Sequence, residues 1–184
     1  PLLQYEHKDR EPALFTRKYP VTTLILMFFL FAFLGWCWEV MLYLVTSATF
    51  VNRGVMHGPW LPIYGTGGVL VLMVLYKLRD KPWLEFAATV VVCGIVEYFT
   101  AYYLETVYDR RWWDYAGYFL NLHGRICAEG LLVFGLGGMA VVYFVAPMFD
   151  NLLHRFKRRT LIALCAVLIA LFSVDQVYSH FYPN

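Results

Sequence analysis

Glu39 and Glu97 stand inside long apolar runs, the first within Val21 to Phe50 and the second within Pro82 to Leu104. A carboxylate in hydrocarbon is costly unless it meets a partner or a wet cavity. Acids so placed bind solutes, carry protons, or serve as base and acid in catalysis. Arg53 and Arg125 flank the runs and supply the complementary chemistry, a planar fork that clamps a carboxylate or phosphate. The bland alternative is that a neighbouring hydroxyl satisfies each acid and the pair only holds helices together. A metal centre would draw on Glu39, Glu97, Glu129, His57 and His123. No His-x-x-x-His or Cys-x-x-Cys spacing supports one, so neither metal nor cofactor is expected. No Gly-x-Ser-x-Gly or Ser/Lys pair offers a nucleophile.

The elements that carry these residues follow from hydropathy. Of the 184 residues, 60% are hydrophobic and 15% charged, too apolar for a soluble domain. A span needs about 20 apolar residues. Five candidates meet or approach that length: Val21 to Val45, Trp60 to Tyr76, Trp83 to Leu104, Glu129 to Phe149 and Thr160 to Phe181. The reading is an all-α, polytopic membrane helix bundle. Residues 1–20 form an N-terminal arm, 21–181 a single integral membrane domain, and 182–184 a tail. The second span is short and rich in Gly and Pro, hence a candidate for a partly re-entrant segment. The first run is too long for a secretory signal and holds Glu39. Cys37, Cys93, Cys127 and Cys165 have no short pairing and read as small core residues.

Lys8, Arg10, Arg17, Lys18, Lys77, Arg79, Lys81, Arg155, Lys157, Arg158 and Arg159 fall on one side of the membrane if five spans alternate. Only Arg53, Arg110, Arg111 and Arg125 fall on the other. The excess of basic residues marks the cytoplasmic side. The N-terminus is then cytoplasmic and the C-terminus outside. In that orientation Glu39, Glu97, Glu105, Glu129, Asp175 and His180 all lie in outer halves, and the inner stretches Val21 to Leu34, Val69 to Tyr76, Phe86 to Val96, Leu136 to Phe149 and Leu161 to Val174 hold no charged residue. The expectation is a polar pocket open to the outside over an apolar floor, since a continuous pore needs polar lining at both levels. Trp36, Glu39 and Tyr43 share one face of the first helix, and Val90, Gly94, Glu97, Ala101 and Glu105 one stripe of the third. Gly94 and Ala101 admit a second helix beside the carboxylate. Glu39 and Glu97 are expected to point into one space.

Two outer segments complete the expected site. The first reads Asn52-Arg53-Gly54, then Gly58-Pro59-Trp60-Leu61-Pro62-Ile63-Tyr64-Gly65, a non-helical path set by its glycines and prolines. The second reads Trp112-Trp113-Asp114-Tyr115, then Asn121-Leu122-His123-Gly124-Arg125-Ile126-Cys127. Trp112, Tyr115 and Tyr118 fit an aromatic belt at the headgroup level as well as a ligand lid. Arg125 either pairs with Glu129 four residues on or answers Glu39 or Glu97. Candidate ligand-binding residues are Trp36, Glu39, Asn52, Arg53, Tyr64, Glu97, Trp113, Asp114, Asn121, His123, Arg125 and Glu129.

Gly35-Trp36 with Glu39, Asn52-Arg53-Gly54, Gly58-Pro59, Pro62-Ile63-Tyr64-Gly65, Glu97-Tyr98, Trp113-Asp114-Tyr115 and Asn121-Leu122-x-Gly124-Arg125-Ile126-Cys127 stand in an order that resembles the bacterial ABC-transporter type IV (CmpB-like) family. The resemblance covers about Gly35 to Gly138. Ala116 stands where that family often has serine. It implies a small multi-pass protein of the bacterial cytoplasmic membrane connected with transport. No Gly-x-x-x-x-Gly-Lys-Ser/Thr loop occurs, so this chain is not itself the ATPase.

Three functions stay open at this point. One is a permease-like subunit binding a small polar or anionic ligand or a lipid headgroup. Another is a membrane enzyme using the two carboxylates on an outer-leaflet lipid-linked substrate. The third is a non-catalytic assembly or receptor subunit. Expected partners are membrane lipids, the ligand, and other subunits or further copies of the chain, with no nucleic acid.

Overall fold

The computed structural model describes residues 14–184. The first thirteen residues of the expected arm, with Lys8 and Arg10, lie outside that part. After a 3₁₀ turn at Leu14–Thr16 come five helices: α1 (Val21–Ser47), α2 (Pro62–Val74), α3 (Pro82–Tyr108), α4 (Ala128–Leu153) and α5 (Arg158–Phe181). Every span read from hydropathy is therefore a helix, and α1, α3, α4 and α5 are long and apolar enough to cross a membrane. The protein is a polytopic helical membrane protein. Helix is what lipid demands, because it satisfies backbone groups within one segment.

Local chemistry sets the boundaries. Pro62 and Pro82 open α2 and α3, where a missing N–H costs nothing. α1 and α3 each end on a left-handed residue, Ala48 (φ 53°) and Asp109 (φ 50°), whose N–H closes back on the preceding turn. Within α4, residues Val141–Val145 widen into a π-helical stretch just before Pro147. The wider turn accommodates a proline that can neither donate nor pack closely against the preceding turn.

The helices pair. α1 packs along α2, α3 packs along α4, and α2 joins the two pairs by packing on α3. Close approach depends on small residues: a Cβ on Gly65 would sit 2.7 Å from the ring and the carbonyl of Phe28, and one on Gly135 would press into Phe86 at 2.6 Å. Past the π-helical stretch, α4 also reaches α1. The two pairs thus converge at the end that carries Arg79 and diverge towards the end that carries Glu39. The closed end is sealed by Met27, Phe31, Val71, Leu72, Leu75, Val142 and Ala146, all buried.

Depth is the main departure from the sequence reading. With 13 residues α2 spans only ~20 Å, against ~40 Å for the 27-residue α1. It begins at mid-height, where Leu61 N–H donates to the carbonyl of Ala32 at 2.9 Å. The segment before it, expected to be a short outer loop, instead descends beside α1, with Met56 and Leu61 buried. Such backbone survives at membrane depth only if the protein supplies its partners. Asp175 of α5 does so, accepting from the N–H groups of His57 (3.1 Å) and Gly58 (2.8 Å) and from Nε1 of Trp60 (2.7 Å).

A second departure lies at the closed end, which is not wholly apolar. Arg79, Glu85 and Thr89 are fully buried there. Arg79 donates to the carbonyls of Phe15 and Arg17 (both 2.8 Å) and of Leu72 (2.5 Å). Burial lowers its guanidinium pKa from the ordinary arginine value. Arg17 pairs with the buried Asp150 at 3.3 Å. Arg79 lies in the loop before α3, whereas Glu85 stands in the first turn of α3, inside the apolar run Pro82 to Leu104.

Candidate functional site

Where the pairs diverge, two connected hollows open. The first, a chamber of about 380 Å³, is lined by Glu39, Arg53, Tyr64, Glu97, Trp112, Trp113 and Tyr115 among others. The second, a cleft of about 710 Å³, runs between α1 and α4 and is almost wholly apolar, with Leu34, Trp38, Gly67, Val71, Val133, Leu136, Gly137 and Val141 on its walls. Its rims are exposed: Leu34, Trp38 and Leu42 on α1, Val133 and Leu136 on α4. It therefore opens sideways, at the height of the spans. Glu39, Tyr64, Glu97, Tyr115 and Phe134 belong to both hollows and form their junction.

The carboxylates are held from opposite walls. Tyr64 on α2 donates to Oε1 of Glu39 at 2.6 Å, and Oε2 of Glu39 lies 3.6 Å from Nε of Arg53. Arg53 also stacks over the ring of Tyr43, 5.3 Å from its centroid. Glu97 is buried on α3, where Gly94 and Ala101 leave room beside it. Its Oε1 accepts from the Tyr115 hydroxyl at 3.1 Å, and its Oε2 has no protein partner. Burial, with the Glu97 carboxylate next to it, raises the pKa of the Tyr115 phenol from its ordinary value, so this hydroxyl stays a donor across the physiological range. Nε of Arg53 and Nε1 of Trp112 are likewise buried without a hydrogen-bond partner.

Several candidates lie elsewhere and do other work. Trp36 donates to Asn52 at 2.6 Å, and Asn52 donates to the carbonyl of His57 at 3.0 Å, a brace for the segment before α2. Asp114 accepts from the N–H of Ala116, and Asn121 bridges the carbonyls of Ala116 and Tyr118 (both 3.1 Å), so both shape the second loop. His123 meets the Tyr98 hydroxyl at 2.8 Å. Glu129 lines only the cleft and accepts from the N–H of Phe119 at 3.3 Å. Arg125 answers neither Glu39 nor Glu97 and does not pair with Glu129. It pairs with Glu105 at 2.5 Å and 3.0 Å and lies over Tyr98 and Tyr102. Glu105 is nearer in space and takes Arg111 on its other oxygen. Trp113 faces the chamber while its Nε1 donates to the carbonyl of Arg125 at 3.1 Å. Among the described residues, no three of His, Cys, Asp and Glu converge as a metal would need.

Two residues that fitted the aromatic belt face inward instead, Tyr115 onto Glu97 and Trp112 into the chamber. The place of Tyr115 in Trp-Asp-Tyr was the available signal; nothing in the spacing showed its direction. Phe134, Thr100 and Gln176 also line the chamber and carried no signal in the sequence.

Residues 26–180 match the family model described as Putative ABC-transporter type IV, and the chain belongs to that family. No curated protein and no solved structure matches it.

Proposed function

We propose that this chain is a transport-related membrane subunit that takes an amphiphile, with the headgroup in the chamber and the tail in the cleft. One observation carries the reading: the polar chamber and the apolar cleft meet at Glu39, Tyr64, Glu97 and Tyr115. A small hydrophilic solute has no use for an apolar cleft open to the lipid, whereas a lipid needs both halves. The cleft volume, about 710 Å³, is within the range of sites for drug-sized ligands. The sealed floor supports exchange with the bilayer from the side over passage straight through.

The excess of basic residues at the Arg79 end supports an orientation with the chamber outward and the closed end cytoplasmic. In the bacterial cytoplasmic membrane the ligand would then come from the outer leaflet.

Gly137 offers a direct test. It lines the cleft, and no atom lies within 4 Å of a Cβ placed there. Gly137→Phe should fill the cleft without disturbing the fold, and lipid retained through purification, identified by mass spectrometry, should fall sharply. Unchanged lipid retention in a folded Gly137→Phe protein would overturn the proposal.

A further inference from the structure

The chamber's unmet polar groups differ in sign, and this specifies the headgroup. On one side stand two donors without acceptors, Nε of Arg53 and Nε1 of Trp112. On the other stands an acceptor without a donor, Oε2 of the buried Glu97. All three residues line the same chamber. Unmet buried polar groups are costly, and a ligand that satisfies them recovers that cost. A purely anionic headgroup would meet Arg53 and Trp112 but bring repulsion to Glu97 and Glu39. A purely cationic one would leave the two donors empty.

We infer that the headgroup is zwitterionic, a primary ammonium on Glu97 joined by a short linker to a phosphate on Arg53 and Trp112. This deepens the amphiphile reading and rests on it. The neighbouring rings fit the same ligand: Tyr103, Tyr108 and Trp113 line the chamber, and aromatic faces attract ammonium groups. Arg53 can turn to the phosphate because its hold on Glu39 is loose, at 3.6 Å, and Tyr64 continues to satisfy Glu39 at 2.6 Å.

The test is native mass spectrometry of the full chain with chain-matched phosphatidylethanolamine and phosphatidylglycerol, and with tail-free phosphoethanolamine. The wild-type protein should prefer the amine lipid by about 10-fold, the scale of one hydrogen bond to a charged group. Glu97→Gln should erase that preference while still holding phosphatidylglycerol, and Arg53→Gln should weaken both lipids. Equal binding of the two lipids to the wild type overturns the zwitterion inference, and that comparison needs no variant. A preference that survives in Glu97→Gln overturns the role of Glu97. If neither lipid is held, the amphiphile reading itself fails. If phosphoethanolamine binds as well as the lipid, the tail assignment fails and the headgroup assignment stands.

Discussion

Tyr64 rests on Gly35: any side chain at that glycine would overlap the tyrosine ring. From this seat the phenol donates to Glu39 at 2.6 Å. The glycine beside Trp36 is thus a positioning device for a carboxylate one turn further along α1. Gly35→Leu should displace Tyr64 and lower stability by about 1–3 kcal/mol, the usual cost of overpacking. Tyr64→Phe should cost roughly 1–3 kcal/mol, the desolvation cost of a half-abandoned acceptor. Thermal unfolding in detergent reads both. A Gly35→Leu protein as stable as the wild type would contradict the seat.

Asp175 is expected to act as a structural anchor. It gathers two backbone N–H groups and Trp60 from the segment before α2, and Ser179 from its own helix at 3.0 Å. Asp175→Ala should cost about 3 kcal/mol, since several charge-assisted hydrogen bonds go at once. It should also expose residues 55–58 to limited proteolysis. Proteolysis unchanged from the wild type would show that the segment holds its path without the anchor.

At the closed end, Arg79 and Glu85 should respond oppositely. Arg79 saturates three backbone carbonyls, so Arg79→Met should lose about 2–4 kcal/mol. Both carboxyl oxygens of Glu85 lack a hydrogen-bond partner, so Glu85→Gln should be within about 1 kcal/mol of the wild type or more stable. Unfolding measured on the two variants side by side checks the contrast. A large loss from Glu85→Gln would point to a partner for that acid and reverse the assignment.

Orientation is open to chemical labelling. In a background with Cys37, Cys93, Cys127 and Cys165 replaced, Gly117→Cys should react with a membrane-impermeant thiol reagent on intact cells. Arg159→Cys should react only after permeabilisation. Gly117 has open space around it, so the thiol there is reachable. The reverse pattern would invert the proposed topology and put the chamber on the cytoplasmic face.

Much of the scaffold is legible in the sequence because hydropathy is a local property. Each run long and apolar enough to cross a bilayer is a helix, and the short Gly- and Pro-rich run is a helix of only 13 residues. The acids at positions 39 and 97 were visible for the same reason: a charge inside an apolar run stands out. What was not legible depends on partners far along the chain. Arg125 has candidate acids at several sequence distances, and only packing selects Glu105. Asn52, Asp114 and Asn121 resemble ligand-binding groups in sequence but are used by their own loops as hydrogen-bond braces.

By itself, the sequence determined that this chain is a membrane helix bundle with acids at mid-helix, because burying polar groups in hydrocarbon constrains residue type one segment at a time. The tertiary structure alone decided that the segment before α2 runs beside α1, that Tyr64 and Tyr115 hold the two carboxylates, and that an apolar cleft between α1 and α4 meets them. Those outcomes depend on contacts between residues far apart in the chain, such as Gly65 against Phe28 and Gly135 against Phe86, which no single segment specifies.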